Sequence, residues 1–126
     1  MKVLATLARL YVDDIDRALP ALRELTGEDV RSRFPYGGVE VASIGGFLVV
    51  AGSAARLAPF REVQSTLLVD DLDGLHEFLD LHGGELVSGP NSVPTGRNAT
   101  VRHPGGVVFE YVEHSVRPGP AFEDRS

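Results

Sequence analysis

Two stretches alternate apolar and polar positions and are rich in β-branched residues: Val3 to Val12 and Glu62 to Val69. A period of two predicts a half-buried strand in each place. An acidic segment follows each one, "VDDID" at Val12–Asp16 and "VDDLD" at Val69–Asp73. The period then changes. Ile15, Leu19, Leu22 and Leu25 fall on one helical face, and so do Leu72, Leu75, Phe78 and Leu79. Asp14 and Asp71 stand where an N-cap belongs, because a short carboxylate accepts from the exposed amides of a first helical turn. Gly27 and Gly83–Gly84 are natural helix ends. Pro20 conflicts with this pattern, since it removes a donor inside the first helix. Three short strands are expected after each helix. They are divided by turns at "PYGG" and "IGG" in the first half, and at "GPNSVPTG" (Gly89–Gly96) and "HPGG" in the second.

The two halves repeat. An offset of 57 residues pairs Val12 with Val69, Asp14 with Asp71, Leu22 with Leu79 and Gly27 with Gly84. Further along, "GGFLVV" from Gly45 aligns with "GGVVFE" from Gly105 at an offset of 60. The three extra residues are expected within Gly89–Gly96, because insertions belong in loops. The organisation is therefore βαβββ twice, with modules at 1–56 and 57–114 and a flexible tail at 115–126. Neither module has enough apolar surface to be stable alone, so the two must pair and one domain overall is expected. On this reading the two acidic segments are helix starts.

Composition narrows the chemistry. There is no cysteine, which excludes a disulfide framework, a thiolate metal site and a cysteine nucleophile. No apolar run approaches the ~20 residues needed to span a bilayer. The start "MKVLATLARLYVDD" lacks the long apolar core of a signal peptide, so a cytoplasmic location and no membrane partner are expected. A formal net charge of −6 argues against a nucleic-acid partner, which would need a basic face.

Paired βαβββ modules, each opening V-x-D-[IL]-D before an amphipathic helix, resemble the vicinal-oxygen-chelate superfamily. That group includes glyoxalase I, the bleomycin-resistance proteins, extradiol dioxygenases and fosfomycin-resistance enzymes. The ending "ATVRHPGGVVFEYVE" (Ala99–Glu113) is similar to the pattern A-x-x-x-D-P-x-G-x-x-x-E of that group. His103 replaces the aspartate, while Pro104, Gly106 and Glu110 match. The resemblance spans residues 3 to 114. It implies an α+β fold in which the two modules form a curved mixed sheet around a pocket, with the helices outside. It also implies a homodimer and a small-molecule ligand.

The metal-dependent members of that superfamily hold their ion on the first and last strands of each module. Carried over through the repeat, those positions are Leu7, Val50, Gln64 and Glu110. Leucine and valine have no lone pair to give, and a glutamine amide is a poor ligand, so only Glu110 is competent. The expectation is no metal and no cofactor.

Alternation along the strands places further residues on the face of Leu7, Gln64 and Glu110. They are Arg9 and Tyr11, Thr66 and Leu68, Leu48, and Val108, Val112 and His114. The repeat adds Glu40, Asn98, Thr100 and Arg102. Ala8, Leu10, Val12, Leu67, Val69, Phe109 and Tyr111 take the opposite face, under the helices. The candidate ligand-binding set is Leu7, Arg9, Tyr11, Val50, Gln64, Thr66, Glu110 and His114.

Two readings of Arg9 stay open. It forms a structural ion pair with Glu110 or Glu40, or it orients an anionic or carbonyl-bearing ligand while Glu110 serves as general base or hydrogen-bond acceptor. His76 and His82 read as surface residues, and His103 as a turn residue. His114 reads as a residue at the pocket mouth. The leading function is metal-free binding of a small organic molecule, of the sequestering or resistance kind. The alternative is a metal-independent isomerase, cyclase or lyase with Glu110 and Arg9 as its catalytic residues. A metal-dependent lyase or dioxygenase is disfavoured by the ligand positions.

Overall fold

In the computed structural model, which describes residues 1–93 and 95–115, the period-two stretches are strands and the acidic segments start helices. β1 (Val3–Val12) leads into α1 (Ile15–Thr26) through Asp14, whose extended backbone lets its carboxylate accept from the amide of Asp16 at 3.0 Å. α1 ends at Gly27, in the left-handed conformation at φ 68°, where its N–H reaches the carbonyl of Arg23 at 2.9 Å. Pro20 lies inside α1 without ending it. Burial of Ile15, Leu19 and Leu22 holds that helix in place, each contributing roughly 1.5–3 kcal/mol.

The chain divides into two compact units. The first is Ala8–Glu62, which holds most of β1, α1, β2 (Val30–Tyr36), β3 (Val39–Ile44), β4 (Phe47–Ala51) and the short α2 (Ala54–Leu57). Its strand order is β2-β3-β4-β1, with β1 parallel to β4 and the other pairs antiparallel.

The second unit is Met1–Leu7 with the chain from Val63 onward. It holds β5 (Val63–Val69), a 3₁₀ turn at Leu72–Gly74, α3 (Leu75–His82), β6 (Glu85–Val93), β7 (Gly96–Arg102) and β8 (Val108–His114). Its order is β5-β8-β7-β6, with β5 parallel to β8. The start of β1 is fastened here. The amide of Lys2 donates to the Asp70 carboxylate at 2.7 Å, and the amide of Asp70 donates to the carbonyl of Lys2 at 3.0 Å. The fold is thus α+β, with the same mixed arrangement written twice. Among the described residues no helix is long and apolar enough to cross a membrane.

Apart from Ala8, which is exposed, the helix-side faces match the alternation. Leu10 and Val12 pack with Ile15, Leu19 and Leu22 of α1, over Ala42, Ile44 and Val49. Leu67, Val69, Phe109 and Tyr111 pack with Leu72, Leu75 and Leu79. The second acidic segment differs in detail from the first. Asp71 caps a 3₁₀ turn, accepting from the amide of Asp73 at 2.8 Å, and α3 begins only after it.

Three expectations need correction. First, Glu40 does not share the face of the candidate site. Val41, not Glu40, pairs with Val50, and Thr100 pairs with Glu110. Val41 and Thr100 are therefore counterparts at an offset of 59, and a one-residue slip moves every side chain to the opposite face. Glu40 sits in the alternation with Ala42 and Ile44 and forms an ion pair with Arg33 at 2.6 Å. An ion pair between Arg9 and Glu40 is thereby excluded. Second, the same count puts one of the three extra residues in the turn between β7 and β8, not in Gly89–Gly96. Third, most of Gly89–Gly96 is strand. β6 runs to Val93 with register shifts between Leu86 and Ser88 and between Ser88 and Asn91. An edge strand with such irregularities accommodates Pro90, which has no N–H for the ladder. The part of the expected tail beyond Ser115 lies outside the described residues.

Candidate functional site

In the second unit, three strands bring polar side chains onto one face. Thr66 on β5 and Glu110 on β8 are register partners, and the Thr66 hydroxyl donates to Glu110 Oε1 at 3.1 Å. Asn98 on β7 donates through Nδ2 to Glu110 Oε2 at 3.4 Å. Thr66 and Asn98 are both buried, at 4% and 8% exposure. The chain of bonds continues outward, with Asn91 Nδ2 donating to Asn98 Oδ1 at 3.3 Å and to Ser88 Oγ at 3.1 Å. Buried polar groups need partners, and this network supplies them from β5, β6, β7 and β8. The Glu110 carboxylate is held by a donor on each oxygen, from strands on either side.

In the first unit, Arg9 and Tyr11 share a face of β1, opposite Leu48 and Val50 of β4. Arg9 Nη1 donates to the Tyr11 hydroxyl at 3.3 Å. That hydroxyl in turn donates to the carbonyl of Phe60 at 2.5 Å. Beside them Val39, Val41, Val50 and Leu57 form a buried cluster onto which Tyr11, Leu48 and Phe60 pack. Val50, at 1% exposure, is therefore a core residue beneath α2 and Phe60.

The structure thus brings Arg9 together with Tyr11, and Thr66 together with Glu110. Leu7 is buried, Gln64 is exposed and His114 is half-buried at the end of β8. Burial pushes the His114 imidazole below its ordinary pKa. His103 occupies the turn before β8 and is linked through Nε2 to the Tyr111 hydroxyl at 2.8 Å. It is ringed by Phe78 and Phe109. Burial pushes His103 down and Tyr111 up, so both are neutral near pH 7.

The acidic segments have a role that alternation could not reveal. Asp16 accepts from Arg33 of β2 at 2.7 and 3.3 Å, and that guanidinium holds its carboxyl below the usual range. Asp73, its repeat partner, accepts from Arg97 of β7 at 3.0 Å. Arg97 also grips Glu113 with Nε and Nη2, each at 2.8 Å, and the amide of Leu72 donates to Glu113 Oε1 at 2.8 Å. Hydrogen bonding from Arg97 lowers Glu113 to about 2. Each helix start is thereby tied through an arginine to a strand of its own unit.

A metal of the superfamily's kind does not fit these residues. Leu7 and Val50 are apolar, and both oxygens of Glu110 face hydrogen-bond donors. Among the described residues no group of three or more His, Cys, Asp or Glu side chains is placed to hold an ion.

No family model matches the chain, and no curated protein matches it. Solved structures do. An uncharacterised protein from Methanosarcina mazei is 47% identical, with 95% of this chain and 99% of that one covered and a TM-score of 0.84. Methylmalonyl-CoA epimerase from Streptomyces coelicolor, in complex with 2-nitronate-propionyl-CoA, is 18% identical over 94% of this chain and 100% of its own, at TM-score 0.66. The Mycobacterium tuberculosis methylmalonyl-CoA epimerase is 22% identical over 97% and 93%, at TM-score 0.65. The likeness to the epimerases is one of fold.

Proposed function

We propose a function from one premise: the chain belongs to the family of the Methanosarcina mazei protein and has the vicinal-oxygen-chelate fold. On our reading it binds a small organic molecule without a metal ion, as a sequestering protein of the resistance type. The observation that carries this is the state of Glu110, the one competent carboxylate at the superfamily's ligand positions. Thr66 and Asn98 donate to its two oxygens, so it is fixed as a hydrogen-bonding group of a polar face rather than offered to an ion. A carboxylate held between two side-chain donors still has lone pairs for a donor on a ligand.

A second reading is favoured by the fold neighbours, which include epimerases. In it the chain is a metal-independent isomerase, cyclase or lyase, Glu110 takes a proton, and Arg9 steadies the developing negative charge. Thermal-shift screening of small organic acids and carbonyl compounds, followed by a turnover assay of the best binder with wild type and Glu110→Gln, separates the two. Binding without conversion supports sequestration. Conversion lost in Glu110→Gln supports the enzyme. A screen of that breadth with no binder rejects both.

The homodimer belongs to the same proposal. The edge strands β2 and β6 carry exposed apolar residues, Phe34 and Tyr36 on one, Leu86 and Val87 on the other. Sedimentation equilibrium at the mass of two chains supports it, and the mass of one chain refutes it.

A further inference from the structure

The geometry points to Asn91 as a positioning residue for Glu110, acting through Asn98 from the edge strand β6. Ser88 pairs with Thr100 and Asn91 with Asn98, so β6 carries one extra residue between those two pairs. In a regular ladder counted from Ser88, Pro90 would face Asn98. Proline has no side-chain donor to offer, and the extra residue puts an asparagine in its place. It also brings Ser88 and Asn91 to one face, whereas residues three apart on a regular strand point to opposite faces. Asn91 Nδ2 then reaches Ser88 Oγ at 3.1 Å and Asn98 Oδ1 at 3.3 Å. Gly89 lets β6 lie this close to β7. It adopts φ +95°, and a Cβ there would lie 2.5 Å from the carbonyl oxygen of Asn98.

A bulge on an edge strand also hinders edge-to-edge pairing, but that role asks nothing of the side chains. Here the side-chain bonds run in one direction, from Asn91 to Asn98 and from Asn98 to Glu110. A primary amide has a donating end and an accepting end. The Glu110 carboxylate takes the donating end of Asn98 at 3.4 Å, and Asn91 holds the accepting end. Were Asn98 to turn over, its carbonyl would face the carboxylate and its N–H₂ would face that of Asn91. Asn91 thus keeps a donor aimed at Glu110 Oε2, while Thr66 keeps one on Oε1. This inference rests on the reading of Glu110 as the polar group that meets a small organic molecule. The aim of its oxygens then sets where a donor of that molecule can bind.

The test follows the Glu110 carboxyl carbon and the Asn98 Nδ2–H₂ pair by NMR, in the full chain with no ligand added. Asn91 and Ser88 are exposed, so both can be replaced without touching the core. Asn91→Asp keeps the side chain's shape and can accept from Ser88, but it presents an acceptor to Asn98. Asn98 should then turn over, so that its Nδ2–H₂ pair shifts and the Glu110 carboxyl signal moves with it. Asn91→Ala, which only removes the brace, should move both signals by less. Ser88→Asp adds the same charge on the same face, yet it gives Asn91 Nδ2 a stronger acceptor and should leave both signals near wild type. Two results would overturn the inference. One is that both signals match wild type in both Asn91 variants, even where melting falls, as a merely structural contact would have it. The other is that Ser88→Asp moves them as far as Asn91→Asp does. An empty ligand screen beside a moved Glu110 signal would reject the function proposed above and leave the positioning standing.

Discussion

Replacing Glu113 with glutamine tests the link between the second helix start and its sheet. The carboxylate accepts three short bonds, two from Arg97 and one from the amide of Leu72, and its side chain is only 15% exposed. Hydrogen bonds to a charged group contribute about 1.5–3 kcal/mol each. The substitution keeps an acceptor for Leu72 but sets an amide N–H₂ against an arginine donor. Arg97 keeps Asp73 at 3.0 Å and Asp71 at 3.6 Å, and solvent screens what remains, so the net loss is about 1–2 kcal/mol at pH 7. Urea unfolding followed by far-UV circular dichroism measures it.

The pH dependence is the sharper part of that test. Glu113 falls from an ordinary 4.5 to about 2 in the folded chain. A depressed carboxyl stabilises the fold above its unfolded value and loses that contribution as pH falls from 4.5 toward 2. Wild type and Glu113→Gln should differ at pH 7 and converge on acidification. A gap that stays constant to pH 3, or no gap at pH 7, would refute the reasoning.

Three further outcomes are expected. Leu57→Ala should cost about 3 kcal/mol in urea unfolding, because Leu57 is 2% exposed and closes the cluster over Val39, Val41 and Val50; a loss under about 1 kcal/mol would mean that α2 does not hold that face. Gly96→Ala should destabilise by more than about 3 kcal/mol, since Gly96 sits at φ +150° and a Cβ there would lie 1.9 Å from the carbonyl oxygen of Glu113; an unchanged melting temperature would contradict the pairing of Gly96 with His114. His103 has its pKa lowered by burial, so the unfolded chain takes the proton first and stability falls as pH drops below about 6.5. In His103→Gln that slope should flatten, and an identical slope would remove His103 as its cause.

The alternation of apolar residues was legible because each strand has one face against a helix. Leu10 and Val12, and Leu67 and Val69, had to pack beneath α1 and the second helical segment for either half to bury a core. The caps at Asp14 and Asp71 were legible for a local reason, since they satisfy amides two residues on. The repeat does not place Glu40 correctly, because the turn before β8 is one residue longer than its counterpart and a one-residue shift along a strand reverses the face. Gly89–Gly96 read as a turn because of its Gly and Pro content, yet an irregular edge strand tolerates both. Arg61 and Arg97 left no trace in periodicity. Their partners, Tyr11, Asp73 and Glu113, are 50, 24 and 16 residues away, and only the folded register brings them close.

The most direct measurement is calorimetric titration of the best screened ligand into protein treated with a chelator, beside the same titration into Glu110→Gln. The account predicts one site per chain, an affinity unchanged by the chelator, and a loss of about tenfold in the variant, the equivalent of one charge-assisted hydrogen bond. Binding that disappears with the chelator and returns with a divalent metal would contradict it.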